Sequence, residues 1–138
     1  MFPFNLKVWM ANLNGDLYLS QLSIPGTHDS VSTSEYGNDC HHWNQCACQD
    51  RKIDEQLDAG IRFFDIRLRH KKDTFDIHHG IFYLNRNIDQ VMADFAAFLK
   101  KNPGEVIIMS YQIAQSEKDT TRYYQARTYQ WMDMMKFE

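Results

Sequence analysis

Between Ile61 and Arg69 apolar and polar positions alternate, which predicts a β-strand, because successive side chains on a strand point to opposite faces. One face carries Phe64, Ile66 and Leu68, an apolar surface for covering helices. The other carries Ile61, Phe63, Asp65 and Arg67, beginning greasy and ending charged. A buried face that turns polar only at its C-terminal end suits the mouth of a parallel barrel. Phe75 to His79 repeats the pattern, with Phe75, Ile77 and His79 on one face and Asp76 and His78 on the other. His79, ending the strand at Gly80, is expected at the level of Asp65 and Arg67, and His78 is expected to point the opposite way, into an interface or solvent. Upstream, Trp9 to Leu13 reads as a short helical or irregular lead-in. Tyr18 to Ile24 reads as a first strand that Pro25-Gly26 turns sharply, since proline fixes φ and glycine tolerates conformations other residues avoid. His28 and Asp29 follow at that strand's exit. Val106 to Ile113 reads as a further buried strand.

Two stretches carry helical spacing. Arg51 to Ala59 places Ile53 and Leu57 on one face and stops at Gly60. Asn87 caps a longer segment whose apolar positions Ile88, Val91, Met92, Phe95, Phe98 and Leu99 recur at close to 3.6 residues, ending at Asn102-Pro103-Gly104. Its aromatic residues are packing, not a cofactor box. Ser30 to Asp50 has no period and reads as a long loop. From Ala114 the chain is polar and then rich in Tyr and Met, compatible with a helix. Strands alternating with helices argue for an α/β fold with a parallel sheet over a single domain, residues 1–138.

Composition narrows the function. Hydrophobic residues at 43% and charged residues at 24% describe an ordinary globular domain. A net charge of -3 and a pI near 6.0 argue against a nucleic-acid partner. No apolar run approaches the ~20 residues that span a bilayer. Met1 to Met10 makes a poor signal peptide, so the expectation is a cytoplasmic or peripheral membrane protein if Met1 is the true start, and a secreted one if sequence precedes it. The three cysteines, Cys40, Cys46 and Cys48, share a short window with His41 and His42. One reading is a thiolate and imidazole metal site, although the spacing lacks the paired Cys-x-x-Cys of structural zinc sites. The other is a surface loop with free thiols, or with one disulfide in an oxidising compartment.

The strand ends bring His28 and Asp29, Asp65 and Arg67, His79, and Gln112 to one rim. Two histidines, a cation and carboxylates suit transfer at phosphorus: one imidazole takes a proton from an attacking hydroxyl and the other protonates the leaving oxygen. Arg67 would hold the phosphate through paired N–H bonds, and Asp29 and Asp65 would orient it or a histidine.

Three ordered motifs then carry a specific resemblance: Ser23-Ile24-Pro25-Gly26-Thr27-His28-Asp29, Gln56-Leu57-Asp58-Ala59-Gly60-Ile61-Arg62-Phe63-Phe64-Asp65-Ile66-Arg67, and His79-Gly80. From about Trp9 to about Met109 the chain resembles the X domain of phosphatidylinositol-specific phospholipase C. The resemblance implies a TIM-type barrel that cleaves phosphatidylinositol, or its glycosylated anchors, to diacylglycerol and a cyclic inositol phosphate, with no cofactor. It implies His28 as general base, His79 as general acid with Asp29 beside it, and Arg67 as phosphate clamp. Calcium-dependent members place acids at both ends of an acid-x-acid pair and an asparagine after the first histidine. Here the residues are Asp65-Ile66-Arg67 and Asp29, which imply the metal-independent, bacterial-type chemistry, because a guanidinium repels the ion and replaces its charge. Gln112 stands where similar bacterial enzymes have a lysine, and is taken as a substrate contact. The family's carboxylate that orients the first histidine comes from late in the barrel.

A TIM-type barrel takes eight strands and roughly 250 residues, so this sequence is expected to supply only the first half, about four βα units. Open strand edges would then favour self-association. The expected partner is a phosphoinositide lipid at a membrane surface. The rival readings are a non-catalytic remnant or a module binding inositol phosphate or membranes, and a metal-dependent barrel acting on glycerophosphodiesters or sphingomyelin. A structural role for the Met- and aromatic-rich tail is a weaker third.

Overall fold

The computed structural model describes residues 5–35, 46–114 and 116–120. Five strands form one sheet: β1 (Gly26–Thr27), β2 (Phe63–Lys71), β3 (Thr74–His79), β4 (Phe82–Asn87) and β5 (Ile108–Ile113). Among the described residues two helices cover it, α1 (Ile53–Asp58) and α2 (Ile88–Lys101). β2 is the axis. β1 runs parallel to its start, Gly26 beside Phe63 and Thr27 beside Phe64. β5 runs parallel along the other edge, from Phe63 beside Ile108 to Leu68 beside Ile113. With α1 bridging β1 to β2, and α2 leading into β5, these three strands make a partial α/β barrel.

The expected all-parallel alternation fails at the next strand. β3 is antiparallel to β2, and β4 is antiparallel to β3. The reason is chain length: parallel strands need a crossover of about a dozen residues or more, and only Lys72 and Asp73 separate Lys71 from its partner Thr74. Both take positive φ, 49° and 59°, as the hairpin turns that match strand twist require. His79 is therefore delivered by a hairpin growing from the upper half of β2, not by a fourth barrel strand. β4 has no counterpart in the sequence reading, because its Asn85, Arg86 and Asn87 interrupt any alternation.

The first strand also differs. Leu19–Gln21 is a 3-10 turn, closed where Tyr18 N–H donates to Gln21 Oε1 at 2.8 Å, and Tyr18 is 76% exposed. Pro25 does not turn the chain. It continues extended beside β2, its carbonyl accepting from the N–H groups of Arg62 and Phe63. Gly26 follows because a Cβ there would stand 2.9 Å from the Phe63 side chain, so only glycine lets β1 lie this close. The turn comes later, at His28 to Ser30.

The core lies between the sheet and the helices. Phe64, Ile66 and Leu68 of β2, Phe75 and Ile77 of β3 and Leu84 of β4 pack with Ile53 and Leu57 of α1 and Ile88, Val91, Phe95 and Phe98 of α2. The α2 spacing is as read, with Met92 and Leu99 at the margin of the core. Asn87 caps it: its side chain accepts from Gln90 N–H at 3.0 Å, and the Gln90 side chain accepts from Asn87 N–H at 3.0 Å.

Beneath the barrel, Arg62 is fully buried and pairs with Glu105, Nε and Nη2 donating to Oε2 at 2.8 and 2.7 Å. Its remaining hydrogens go to the carbonyls of Leu57, Ile61 and Lys7, and its guanidinium lies 4.6 Å from the Phe98 ring centre. Together with Glu105 Oε1, which accepts from Ala11 N–H, this ties the N-terminal segment to the sheet.

Candidate active site

The site is a chain of hydrogen bonds along the C-terminal rim of β1 and β2. Thr27 ends β1, its Oγ 2.7 Å from Gln56 Oε1, while Gln56 Nε2 donates to the carbonyls of Ser30 and Arg51. Ser30 is locked to β2 in both directions: its N–H donates to the Asp65 carbonyl at 2.8 Å and its Oγ accepts from Asp65 N–H at 2.9 Å. Between them Asp29 is bent into the left-handed region, φ 44°, which aspartate tolerates better than most residues. That bend aims the Asp29 N–H at Asp65 Oδ2, 3.2 Å away, and its carboxylate towards β3.

His79 Nδ1 lies 2.8 Å from Asp29 Oδ2. Strict alternation would have kept His79 with Phe75 and Ile77 on the core face. Instead the β3–β4 register shifts between Asp76 and His78, Ile77 and His78 are both buried, and His79 emerges on the side of Asp65. His78, expected in an interface or solvent, is only 3% exposed and packs beside Tyr83, ring centres 5.7 Å apart.

Across the rim, His28 Nδ1 is 3.1 Å from Asp65 Oδ2. Asp65 also receives Arg67, whose Nε sits 3.0 Å from each carboxylate oxygen and whose Nη2 sits 2.8 Å from Oδ2. Among the described residues Asp65 is thus the carboxylate facing His28. Gln112 stands beside Arg67 in the β2–β5 register and is exposed. All the expected residues therefore share one rim, which opens on a cleft of about 400 Å³ lined by Gly26, Thr27, His28, Phe63, Asp65 and Ser110.

The two carboxylates are driven apart. Burial pushes the Asp29 carboxyl up, against the pull of His79 and Arg67. Burial works the same way on Asp65, but the Arg67 hydrogen bonds, the Asp29 N–H and the charges of Arg67 and His28 outweigh it and hold this carboxyl below its ordinary value. Asp65 in turn holds Arg67 more firmly protonated. Such an arrangement leaves two imidazole–carboxylate pairs near one guanidinium, a frame for moving two protons about a bound anion.

Cys48 was no part of the expected site. The described ends of the long loop fold back on Ser32, whose carbonyl accepts from the N–H groups of Cys48 and Gln49, and Gln49 Nε2 donates to the His28 carbonyl at 2.6 Å. This return sets Cys48 Sγ 3.6 Å from His79 Nδ1. Only its closeness to other ligand-type residues marks Cys48 in sequence, and that signal points equally at its neighbours. Of those, Cys46 is disulfide-bonded and so is no thiolate ligand, while Cys40, His41 and His42 lie outside the described residues.

A partial α/β barrel with a two-histidine rim defines a narrow class of protein. Residues 22–138 match the family described as phosphatidylinositol-specific phospholipase C, X domain, and the chain belongs to that family. It is 40% identical over 121 residues to 1-phosphatidylinositol phosphodiesterase of Listeria monocytogenes, covering 85% of this chain and 36% of the relative. It is 31% identical to PI-PLC X domain-containing protein 2 of Mus musculus, covering 75% of this chain and 38% of the relative. Among solved structures, phosphatidylinositol-specific phospholipase C from Listeria monocytogenes aligns with a TM-score of 0.78 and 34% identity, over 96% of this chain and 46% of that one. The Staphylococcus aureus enzyme aligns with a TM-score of 0.80 and 28% identity, over 92% and 42%. The chain thus spans well under half the length of the curated relatives it matches here.

Proposed function

We propose that this chain carries the acid–base half of a metal-independent phosphatidylinositol-specific phospholipase C. His28 takes the proton from an inositol hydroxyl, whose oxygen attacks phosphorus. The bond from phosphorus to the glycerol oxygen breaks, and His79 supplies the proton that oxygen needs. The products are diacylglycerol and a cyclic inositol phosphate. Asp65 orients His28 and Asp29 orients His79, each carboxylate fixing the direction of its ring. Arg67 faces the negative charge that grows on the phosphate oxygens. Gln112, beside Arg67 in the strand register, contacts the headgroup, and the cleft beside His28 receives it.

The single observation that carries this reading is the pairing of each histidine with its own carboxylate: His28 with Asp65 at 3.1 Å, His79 with Asp29 at 2.8 Å, with Arg67 bound to Asp65. The Listeria monocytogenes and Staphylococcus aureus relatives, named as 1-phosphatidylinositol phosphodiesterases, support the substrate. The test is cleavage of phosphatidylinositol vesicles followed by phosphorus NMR, which separates the cyclic product from the lipid. His28→Ala and His79→Ala should each slow cleavage by at least ~10²-fold, the usual worth of such a group. Cleavage at the parent rate by either variant would end the assignment.

A further inference from the structure

One buried oxygen in the site has no work to do in the acid–base scheme. Asp29 is 3% exposed and gives Oδ2 to His79, yet its Oδ1 is buried and finds no hydrogen-bond partner among the described residues. A carboxylate oxygen in that state is costly unless something fills its lone pairs. Beside the Asp29 carboxylate stand the free thiol of Cys48 and the imidazole of His79. The three residues can present one ligand atom each within 4.8 Å of one another.

We propose that Asp29, Cys48 and His79 form a binding site for zinc or a similar borderline-soft divalent ion, and that filling it withdraws His79 from acid catalysis. A thiolate, an imidazole nitrogen and a carboxylate oxygen are the ligand types zinc prefers, and three protein ligands leave a fourth tetrahedral position open. Bond lengths of about 2.0–2.3 Å to such ligands fit a triangle of this size with small side-chain shifts. Burial and the Asp29 charge push the Cys48 thiol up, so the ion must displace its proton to solvent on binding. The thiolate and the Asp29 carboxylate then balance the ion's charge. The nearby Arg67, hydrogen-bonded to Asp65, weakens that attraction but takes up none of the three ligand atoms. Calcium, which wants six or more oxygens, finds no such shell among the described residues. The consequence for His79 rests on the function proposed above. A metal on Nδ1 takes the nitrogen that otherwise faces Asp29 Oδ2, which breaks the contact that orients the ring and ties the imidazole to the ion instead of the leaving oxygen.

The experiment uses the full chain with zinc and cobalt ions alone. Binding is read by calorimetry with zinc, and by the thiolate-to-cobalt charge-transfer band in the near ultraviolet. The expected result is one ion per chain, a band that disappears in Cys48→Ser, and zinc affinity at least ~10-fold weaker in both Cys48→Ser and Asp29→Asn, the cost of losing one of so few ligands. No band, or equal affinity in wild type and Cys48→Ser, overturns the site. Phosphatidylinositol cleavage is then compared with and without zinc within each protein: the wild type should be inhibited and recover in EDTA, and Cys48→Ser should be much less sensitive. Cleavage that ignores bound zinc overturns the link to His79. A chain that binds zinc through Cys48 but cleaves no lipid in EDTA sinks the proposed function and leaves the metal site standing.

Discussion

Arg67 closes on the carboxylate of Asp65, two residues before it on the same strand face, through three contacts of 2.8 to 3.0 Å. A fixed cation therefore stands where an acid-x-acid pair would leave room for a divalent one. Cleavage should be indifferent to EDTA and to added calcium. Arg67→Asp should lower the metal-free rate by about two orders of magnitude, the worth of one group stabilising transition-state charge, and calcium should restore part of it. Wild-type activity that vanishes in EDTA and returns with calcium would show that the guanidinium does not replace the ion.

His78 predicts a slope in acid stability. Burial depresses its pKa from the ordinary 6.5, with Arg69 and Lys71 adding to the effect and Asp76 opposing it. The folded chain then binds fewer protons than the unfolded one in mild acid. Its contribution to stability is fully present above pH 6.5, the unfolded value, and is lost as pH falls towards the folded one. His78→Phe should flatten the fall in melting temperature below neutrality. An unchanged profile in that variant would place the acid sensitivity elsewhere.

The buried pair of Arg62 and Glu105 should behave asymmetrically. Arg62→Met strands a carboxylate that is 5% exposed, and is expected to cost about 3–5 kcal/mol. Adding Glu105→Leu should recover much of that loss, because an apolar pair leaves no charge unsatisfied. Urea unfolding of both variants measures this. A double variant no more stable than Arg62→Met would mean that the arginine acts mainly through Leu57, Ile61 and Lys7.

The 138-residue chain, expressed alone, should self-associate. Among the described residues β5 pairs only with β2 and the isolated bridges do not extend it, so its far edge is open. Phe63 at 37% and Tyr111 at 42% exposure on these strands, and Val106 at 53% just before β5, add apolar surface. Light scattering after size exclusion should report a dimer or larger species. A monomer at high concentration would show that the edge is protected.

The sequence by itself determined the faces of β2 and α2, since those follow from periods of two and about 3.6 residues that need no knowledge of the rest of the chain. It also marked the candidate site residues, because His28, Asp29, Asp65, Arg67 and His79 are the polar positions left where apolar runs end. The two residues between β2 and β3 already ruled out a parallel crossover, though the strand–helix rhythm hid it. Tertiary structure alone decided the rest. The register shift in β3 turns His79 outward and His78 inward, a choice made by pairing with β4 rather than by local alternation. The left-handed turn at Asp29 depends on Ser30 being bonded to β2 from both sides. Cys48 reaches His79, and Asp65 reaches His28, only because distant segments meet at one rim. Contacts of that kind are set by chain closure, which no local pattern of residues records.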